Sequence, residues 1–487
     1  MRFELSRSDA LAPWQYRVVT SERQTSLDVD PVLRVTIGPN LPTARILDAM
    51  GREVGLLLGF AINLKAETVI RDDYRLDVDI GNASFDFAER IRDGLGGNFL
   101  IILHSAGKFR IYPDGVAQMP CVFARDQKCA GSTAYAILDE ADYKSRFLKD
   151  RFTAQDIERD GWFPAGLTAH KGVERLLPNH YLDLSNWKAV RFWPKKEIEK
   201  TENPGEVAQE IVSIVQCQLR ALIKSDKKVI QALTAGYETR WLLACARPLV
   251  DEIEFVTVEA PSANHIDIDI ACRLAKKFEL KHRILPRRMA SPEEQSLYLL
   301  RGGHCSGGQN QVTHPSMWPL TAEYCFVGGL NGEIARGYTW RPGDTTDMNV
   351  DILTLVARLG LPLLDDMEER FRYWRDGVSL ENALDLLDLN YLENRMGAWA
   401  YAHFFCDPSV PRYNPIGTPH TVKLMLSLPE DWRRTYRLCD FAIKQCWPEL
   451  LSIPINTRGR LRDLTDKIGL AMSNPERVIR KLRKLAR

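Results

Sequence analysis

The sequence predicts a mixed α/β protein in two parts, the second of which is a doubly wound parallel sheet with a helical extension. Short apolar runs separated by polar turns fill residues 1–193, a pattern typical of antiparallel strands. From residue 200 onward, strand-like runs alternate with amphipathic helices, which indicates parallel strands with helices on both faces. The polar segment 195–204 runs into a Pro–Gly pair and marks the boundary. We therefore predict one domain over 1–193 and another over 200–487.

Length and composition exclude several classes of protein. The chain has 487 residues, of which 45% are hydrophobic and 26% charged, as in ordinary globular proteins. The 65 basic and 64 acidic residues leave a net charge of +1, so no overall charge draws the chain to nucleic acid. The longest apolar run, Val54–Ile62, is about half the length that crosses a bilayer. With no visible leader and ten scattered cysteines, we expect a cytoplasmic protein without a transmembrane segment.

The elements follow from short periodic patterns. In the first part, segment 98–123 has a glycine or aspartate at each turn and predicts a β-meander, and 178–184 predicts a turn followed by a strand. Strands are predicted over Gly55–Asn63, Asn98–His104, Phe109–Tyr112, Cys121–Ala124, Lys228–Leu233, Glu254–Val258, His282–Leu285 and Tyr324–Val327. Helices are predicted over Val207–Ile223 and Ile266–Phe278, with another that opens at Thr239.

The loop Leu233–Arg240 carries the chemistry that first points to a nucleotide. It follows a strand and precedes a helix, where ligands of open parallel sheets bind, and its small residues let backbone N–H groups approach a phosphate. Thr234 and Thr239 offer hydroxyls, and Glu238 offers a carboxylate for Mg²⁺. The same residues also suit an ordinary strand–helix turn capped by threonine, because no Gly-Lys-Ser/Thr follows the loop.

This loop resembles the pyrophosphate-binding signature Ser-Gly-Gly-x-Asp-Ser of the asparagine synthetase-like enzymes. Thr234 stands for the first serine, Ala235 and Gly236 for the two glycines, Glu238 for the aspartate and Thr239 for the last serine. Further segments resemble the family in the same order. They are the N-terminal Gly97–Phe99 and 178–184, the Asp-led helix 267–275, the second phosphate loop 329–338, and the site-closing helical region 412–416 with 424–429.

The resemblance implies a fold, a reaction and a set of site residues. The fold is an Ntn-like αββα sandwich followed by a PP-loop (adenine nucleotide α-hydrolase) domain. In the reaction, Mg²⁺-ATP adenylates a substrate carboxylate and releases pyrophosphate, and an amine then forms the amide. Glu238 and Glu333 are the implied metal ligands, with Glu333 and Arg336 as the catalytic pair. The implied nucleotide-binding residues are Leu233, Thr234, Ala235, Gly236, Glu238, Thr239, Arg240, Val258, Glu259, Asp267, Gly328 and Gly329.

Departures from the family pattern modify this expectation. The family's glutaminase uses an N-terminal cysteine after Met removal, but Arg2 stands at that position and the nearest cysteine is Cys121. We therefore expect no glutamine hydrolysis, as in the related β-lactam synthetases and lasso-peptide cyclases. The expected partners are a small-molecule or peptide carboxylate and an amine. A homodimer or a partner from the same biosynthetic cluster is left open.

Two substitutions keep a second function open, that of a non-catalytic homologue which binds nucleotide or a partner protein. Ala235 costs on the order of 1 kcal/mol if that position requires a positive φ. Leu330 lies near the place where relatives carry a catalytic Glu or Tyr. The family's late lysine has no secure counterpart, and the candidates are Arg458, Arg460 and Lys467.

Three further segments have both a functional and a plain interpretation. The glycine-rich stretch 302–311 suits a substrate loop, although a surface loop without function is favoured. Arg395 is compatible with a substrate-facing role as well as with a structural ion pair on the helix that carries Glu393 and Trp399. The basic amphipathic tail 476–487 suits a membrane surface or an acidic partner, and a solvated helix is favoured.

Overall fold

The structure, a computed structural model, describes residues 2–24, 29–80, 85–259, 265–399, 405–407 and 409–457. The strands of the first part are β1 Arg2–Arg7, β2 Tyr16–Gln24, β3 Val29–Ile37, β4 Thr43–Leu47, β5 Glu53–Asn63, β6 Thr68–Val69, β7 Asp73–Arg75, β8 Leu95–Ser105, β9 Lys108–Pro113, β10 Val122–Ala124, β11 Cys129–Gly131, β12 Val173–Arg175, β13 His180–Asp183 and β14 Lys188–Arg191. Its helices are α1 Ala88–Asp93, α2 Ala134–Ile137, α3 Glu140–Arg146 and α4 Lys149–Ala154.

These strands form two sheets. One has the order β1-β3-β2-β11-β10-β12, and the other the order β14-β13-β9-β8-β5-β4-β7 with β6 beside β5. The apolar run in β5 is explained by its position, because its alternate residues point to opposite faces of the sheet. Leu56 and Leu58 belong to the core between the two sheets, whereas Leu57 and Ala61 belong to a second core on the outer face.

The predicted β-meander over 98–123 is wrong. β8 and β9 pair as an antiparallel hairpin, but β10 pairs with β11 and β12 in the other sheet. Helices lie on the outer faces: α1 packs against the outer face of the β5 sheet, and α2 packs behind β10 and β11. The Ntn-like assignment and the predicted boundary at 193–200 stay predictions.

The second part has five strands and twelve helices among its described residues. The strands are β15 Lys228–Ala232, β16 Glu254–Val258, β17 His282–Leu285, β18 Tyr324–Val327 and β19 Arg412–Tyr413. The helices are α5 Pro204–Ile223, α6 Tyr237–Cys245, α7 His265–Phe278, α8 Pro292–Arg301, α9 Gly308–Thr313, α10 Ile352–Leu359, α11 Asp365–Asp376, α12 Ala383–Tyr391, α13 Gly397–Trp399, α14 Pro419–Ser427, α15 Glu430–Arg433 and α16 Arg437–Cys446. Among these helices none is long and apolar enough to span a bilayer.

The parallel sheet of the second part is confirmed. Its order is β17-β16-β15-β18-β19, and every neighbouring pair is parallel. Val229 and Phe255 face the core that contains α5 and α6, whereas Ile230 and Val256 face a smaller core with Met317. Because the strand order reverses between β15 and β18, the loops that follow these two strands diverge and leave a crevice at the carboxyl edge of the sheet.

The glycine-rich stretch 302–311 joins the two parts and is not a surface loop. A Cβ at Gly303 would lie 3.1 Å from the Ala134 nitrogen, and one at Gly307 would lie 2.8 Å from the Ile157 carbonyl oxygen. The glycines therefore allow this backbone to pack directly against the N-terminal part. The favoured interpretation of an exposed loop is wrong, because the tight backbone packing buries most of the stretch.

Candidate functional site

The loops after β15 and β18 meet at the crevice between these two strands. A Cβ at Gly332 would lie 2.9 Å from Cγ of Glu238, and a Cβ at Gly329 would lie 3.1 Å from the Glu238 backbone carbon and the Thr239 nitrogen. Such close backbone approach is open only to glycine. The two predicted phosphate loops therefore form one surface.

Hydrogen bonds hold the first loop in shape. The Thr234 Oγ1 accepts the Gly236 N–H at 3.2 Å and lies 2.7 Å from the Thr239 Oγ1. Asp267 at the start of α7 accepts the Ala235 N–H at 2.8 Å, which gives this predicted residue a positioning role. The strain expected at Ala235 is absent, because this described residue is not among those with a positive φ.

The N-terminus of α6 points its backbone donors into this loop. Gly236 precedes the helix with φ −76° and ψ 165°, and among the described residues no side chain caps it. The N–H groups of Tyr237, Glu238 and Thr239 lack intrahelical acceptors by the geometry of a helix start. Together with the helix dipole, they form a site that favours a phosphate or another anion.

Glu238 and Arg336 form an ion pair beside these donors. The Arg336 Nε donates to the Glu238 Oε1 at 3.1 Å, and the guanidinium stacks on Tyr338 and Tyr436 at 4.8 and 5.0 Å. Burial alone would lower the pKa of Arg336, but Glu238, Tyr436 and Glu333 outweigh it and raise the pKa. The guanidinium is thus a fixed positive charge at the edge of the loop.

Glu333 supplies a second carboxylate to the same crevice. Its Oε2 accepts the Asn331 N–H at 3.1 Å. Burial, and then the nearby Glu238, raise the pKa of the Glu333 carboxyl above its ordinary value. A cation between the two carboxylates would relieve both effects, and Mg²⁺ is commonly held by one or two carboxylates plus phosphate oxygens. Among the described residues no group of three or more His, Cys, Asp or Glu side chains could hold a metal.

A cavity of about 340 Å³ opens over these residues. It is lined by Asn98, Gln118, Ala232, Glu238, Thr239, Phe326, Gly328, Gly329, Leu330, Glu333, Arg412 and Asn414. The predicted residues Glu238, Thr239, Gly328, Gly329 and Glu333 are therefore brought together. Of the four remaining polar residues, Arg412 and Asn414 belong to segment 412–416, which the resemblance placed at the site. Asn98 and Gln118 come from the N-terminal part and were not predicted as site residues.

Segment 412–416 differs from its predicted role. It was expected in a helical region that closes the site, but Arg412–Tyr413 forms β19 at the edge of the parallel sheet. The Asn98 Nδ2 donates to the Arg412 carbonyl oxygen at 2.6 Å, which joins the N-terminal sheet to this edge. A Cβ at Gly328 would lie 2.5 Å from the Asn414 Oδ1. This strand has only two residues, so no sequence period could reveal it.

Eight of the twelve predicted nucleotide-binding residues do not line the cavity, and four of these eight, Leu233, Arg240, Val258 and Glu259, also lie outside the hydrogen-bonded loop around Thr234. The buried Arg240 guanidinium donates to the carbonyl oxygens of Leu450, Ile453 and Pro454 at 3.0, 2.9 and 3.3 Å. It anchors the segment after α16, and its full burial disagrees with the predicted nucleotide-binding role. Val258 ends β16, and the exposed Glu259 accepts the Arg287 N–H at 3.2 Å, so their role in nucleotide binding stays a prediction. Leu233 is buried beneath the loop.

Arg395 and Arg336 both contact the Tyr338 ring. The Arg395 guanidinium is 5.3 Å from the Tyr338 ring and 5.0 Å from the Trp162 ring, within a π-helical turn, Leu392–Met396, that follows α12. Glu393 pairs with Arg191 instead, so the structural ion pair belongs to Glu393. The candidates Arg458, Arg460 and Lys467 and the tail 476–487 lie outside the described residues.

No protein-family model and no curated protein matches the chain. Solved structures to which it is similar include the NH3-dependent NAD synthetase from Campylobacter jejuni, with 12% identity over 28% of this chain and a TM-score of 0.18. They also include the U34-tRNA thiolase NcsA from Methanococcus maripaludis with its 4Fe–4S cluster, with 13% identity over 61% of this chain and 87% of that chain, and a TM-score of 0.25. The chain spans 60% of the NAD synthetase. At these TM-scores, neither structure supports an argument about the site. The assignment of the site therefore depends on the geometry of this chain alone.

Proposed function

We propose that this chain is an ATP-dependent, AMP-forming ligase of the asparagine synthetase-like kind, with a PP-loop nucleotide site and without glutaminase activity. One observation carries the proposal. The loops after β15 and β18 bring the α6 N-terminus, Glu238, Glu333 and Arg336 together at the crevice where the strand order reverses. Binding sites of open α/β sheets lie at this position.

The phosphates of ATP lie against the first loop in this proposal. The N–H groups of the first turn of α6 donate to phosphate oxygens, and the Thr234 and Thr239 hydroxyls add donors. Glu238 and Glu333 hold Mg²⁺, whose chemistry when bound is to neutralise charge on the phosphate oxygens. Arg336 stabilises the charge of the departing pyrophosphate, and the nearby Tyr436 ring keeps its guanidinium in place.

The reaction activates a carboxylate and then forms an amide. A carboxylate oxygen of the substrate attacks the α-phosphorus of ATP, and pyrophosphate leaves. An amine then attacks the acyl carbon, loses a proton, and AMP leaves. The substrate is a small molecule or a peptide, and its amine is part of the substrate or free in solution.

Two features of the cysteines support an amine that does not come from glutamine. Cys121 is fully buried, and burial raises the pKa of its thiol to about 12. Burial also raises the pKa of Cys129 in β11. Because the thiolate is the nucleophilic form, neither described cysteine is suited to hydrolyse glutamine.

Pyrophosphate release tests the proposal. Pools of amino acids and short peptides are incubated with Mg²⁺-ATP and hydroxylamine, which intercepts any activated carboxylate as a hydroxamate. We expect release with at least one pool, and loss of that release in Arg336→Gln. Release that persists unchanged in Arg336→Gln would contradict the assigned site.

A second candidate function is nucleotide binding without turnover. Leu330 lines the cavity where a charged or hydroxyl group would serve the reaction, and Glu238 is already paired with Arg336. Saturable binding of Mg²⁺-ATP with no pyrophosphate from any pool would favour this candidate. The homodimer, the biosynthetic-cluster partner and the cytoplasmic location stay predictions.

A further inference from the structure

A second cavity lies away from the candidate nucleotide site. It has a volume of about 650 Å³, within the range of about 300–1,000 Å³ typical of small-molecule sites. β12, β13 and β14 form one wall, and the C-terminal half of α11 forms the other. A ligand here would contact both the N-terminal strands and the C-terminal helices. We call it the cationic cavity because of its lining.

Basic side chains dominate this lining. The lining contains five basic side chains but only two carboxylates, Glu174 and the exposed Asp376. The five are Arg125, Arg175, Lys188, Arg191 and Arg370. His180 adds no charge near neutral pH, because burial lowers its pKa to about 4. The wall therefore carries an excess of positive charge.

The carboxylates present neutralise only part of this excess, because Glu393, which pairs with Arg191, is only a third negative charge against five basic side chains. Glu174 is shared by Arg370 at 2.7 Å and Arg125 at 3.7 Å. Lys188 is exposed and makes no ion pair with the described residues. The interior of the cavity therefore favours a ligand that brings its own negative charge.

Arg191 is fixed in position by a buried carboxylate behind it. Its two terminal nitrogens donate to Glu393 at 2.7 Å each, and Glu393 also accepts from Asn179 and Trp374. The Arg191 Nε is buried without a hydrogen-bond partner among the described residues. The buried Nε does not reach a ligand, so Arg191 contributes an oriented positive charge, partly balanced by Glu393, to the cavity wall.

The remaining wall is apolar and leaves room beside the arginines. Leu177, Ala165 and the Trp374 ring are all buried and line the cavity. Gly166, with φ +75°, leaves space next to Arg370, because a Cβ there would lie 3.1 Å from the Arg370 Nη2. An anionic group and an apolar body can thus be accommodated together.

We propose that the cationic cavity binds a small organic anion. Its carboxylate or phosphate group lies among Lys188, Arg191 and Arg370, and its apolar part packs on Trp374 and Leu177. This site is separate from the nucleotide site and does not depend on the proposed ligase activity.

Calorimetric titration tests the site with three probes of similar shape: phenylacetate, phenyl phosphate and the neutral benzyl alcohol. We expect saturable one-to-one binding of at least one anion at millimolar concentration, and none of the alcohol. The tighter anion identifies the headgroup, carboxylate or phosphate. Lys188→Glu is expected to weaken anion binding by about fivefold or more, whereas Lys108→Glu, at an exposed position outside the cavity, leaves it unchanged.

The controls separate this site from the phosphate loop. Arg336→Gln is expected to leave anion binding intact, and circular dichroism verifies that each variant is folded. The proposal is overturned if the folded protein binds neither anion or binds the alcohol equally well. It is also overturned if Lys188→Glu and Lys108→Glu weaken binding alike, or if Arg336→Gln abolishes binding and Lys188→Glu does not.

Discussion

Glu238 and Arg336 lie 98 residues apart in the sequence, and their side chains meet at 3.1 Å. Each could be predicted as a site residue from its own motif, because phosphate-binding loops place charged residues near a glycine. Their pairing could not be predicted, since it depends on β15 and β18 being neighbours in the sheet. The same limit applies to Arg240, whose guanidinium binds backbone carbonyls more than 200 residues away.

Replacement of Arg336 tests the charge at the site. Arg336→Gln removes a charge-assisted donor from the phosphate loops, which is worth about 1.5–3 kcal/mol. We expect the affinity for Mg²⁺-pyrophosphate to fall about 10- to 100-fold in calorimetric titration. Arg372→Gln, at an exposed pair with Glu368, is the matched control and should not change the affinity. Equal affinities in both variants would exclude Arg336 from the site.

Replacement of Arg240 separates a structural from a ligand-binding role. Arg240→Met leaves three carbonyl oxygens without their donor, so we expect stability to fall by about 2–4 kcal/mol. Urea unfolding should detect this loss, while the affinity for an ATP analogue stays unchanged. A variant of unchanged stability that no longer binds the analogue would restore the nucleotide-binding role predicted from the sequence.

At the scale of elements, short apolar patterns located four of the five strands of the parallel sheet, all but β19, and β16, β17 and β18 have the predicted bounds. The predicted meander failed for a physical reason. Turn residues indicate where the chain reverses, but the sheet that the next strand joins depends on which apolar face it can cover. β10 therefore pairs with β11 and β12 in the sheet that contains β1, and not with β9.

The contact between the two phosphate loops is testable through Gly329. Gly329→Ala places a Cβ 3.1 Å from backbone atoms of Glu238 and Thr239, so the loops must separate at a cost of about 1–3 kcal/mol. We expect about tenfold weaker binding of an ATP analogue. Gly205→Ala, with no atom within 4 Å of the added carbon, serves as the control. Binding of equal strength in both variants would mean that the loops do not act as one surface.

For the whole molecule, the two parts of the chain share buried surfaces that no local pattern reveals. Asn98 and Gln118 reach the candidate site from the N-terminal part. His170 and His304 lie in one aromatic cluster with Tyr143, and the His304 Nδ1 is 2.7 Å from the Tyr143 Oη. Local periodicity predicts elements, whereas these contacts depend on tertiary packing.

The buried histidines make stability depend on pH. Burial, with a further contribution from His304, lowers the pKa of His170 to about 3, and burial lowers that of His304 to about 4. The unfolded chain, with histidine pKa values near 6.5, binds more protons than the folded one below that pH. Folding stability therefore falls as pH decreases, by about 2 kcal/mol for each histidine between pH 7 and 5.

Urea unfolding at pH 7 and pH 5 measures this loss. Within the described residues neither His170 nitrogen has a hydrogen-bond partner, so His170→Phe keeps the aromatic packing and removes the titrating group. Between pH 7 and pH 5, the free energy of unfolding should fall by about 2 kcal/mol less in the variant than in the unchanged protein. An identical loss in both proteins would show that His170 does not titrate on unfolding.

The most direct measurement is calorimetric titration of a non-hydrolysable ATP analogue with Mg²⁺. The account predicts saturable binding of one molecule per chain. It also predicts binding at least about tenfold weaker in Glu238→Gln, because a carboxylate that holds the metal is lost, and unchanged binding in the exposed control Glu369→Gln. Absence of binding in the unchanged protein, or equal affinities in the two variants, would contradict the nucleotide site.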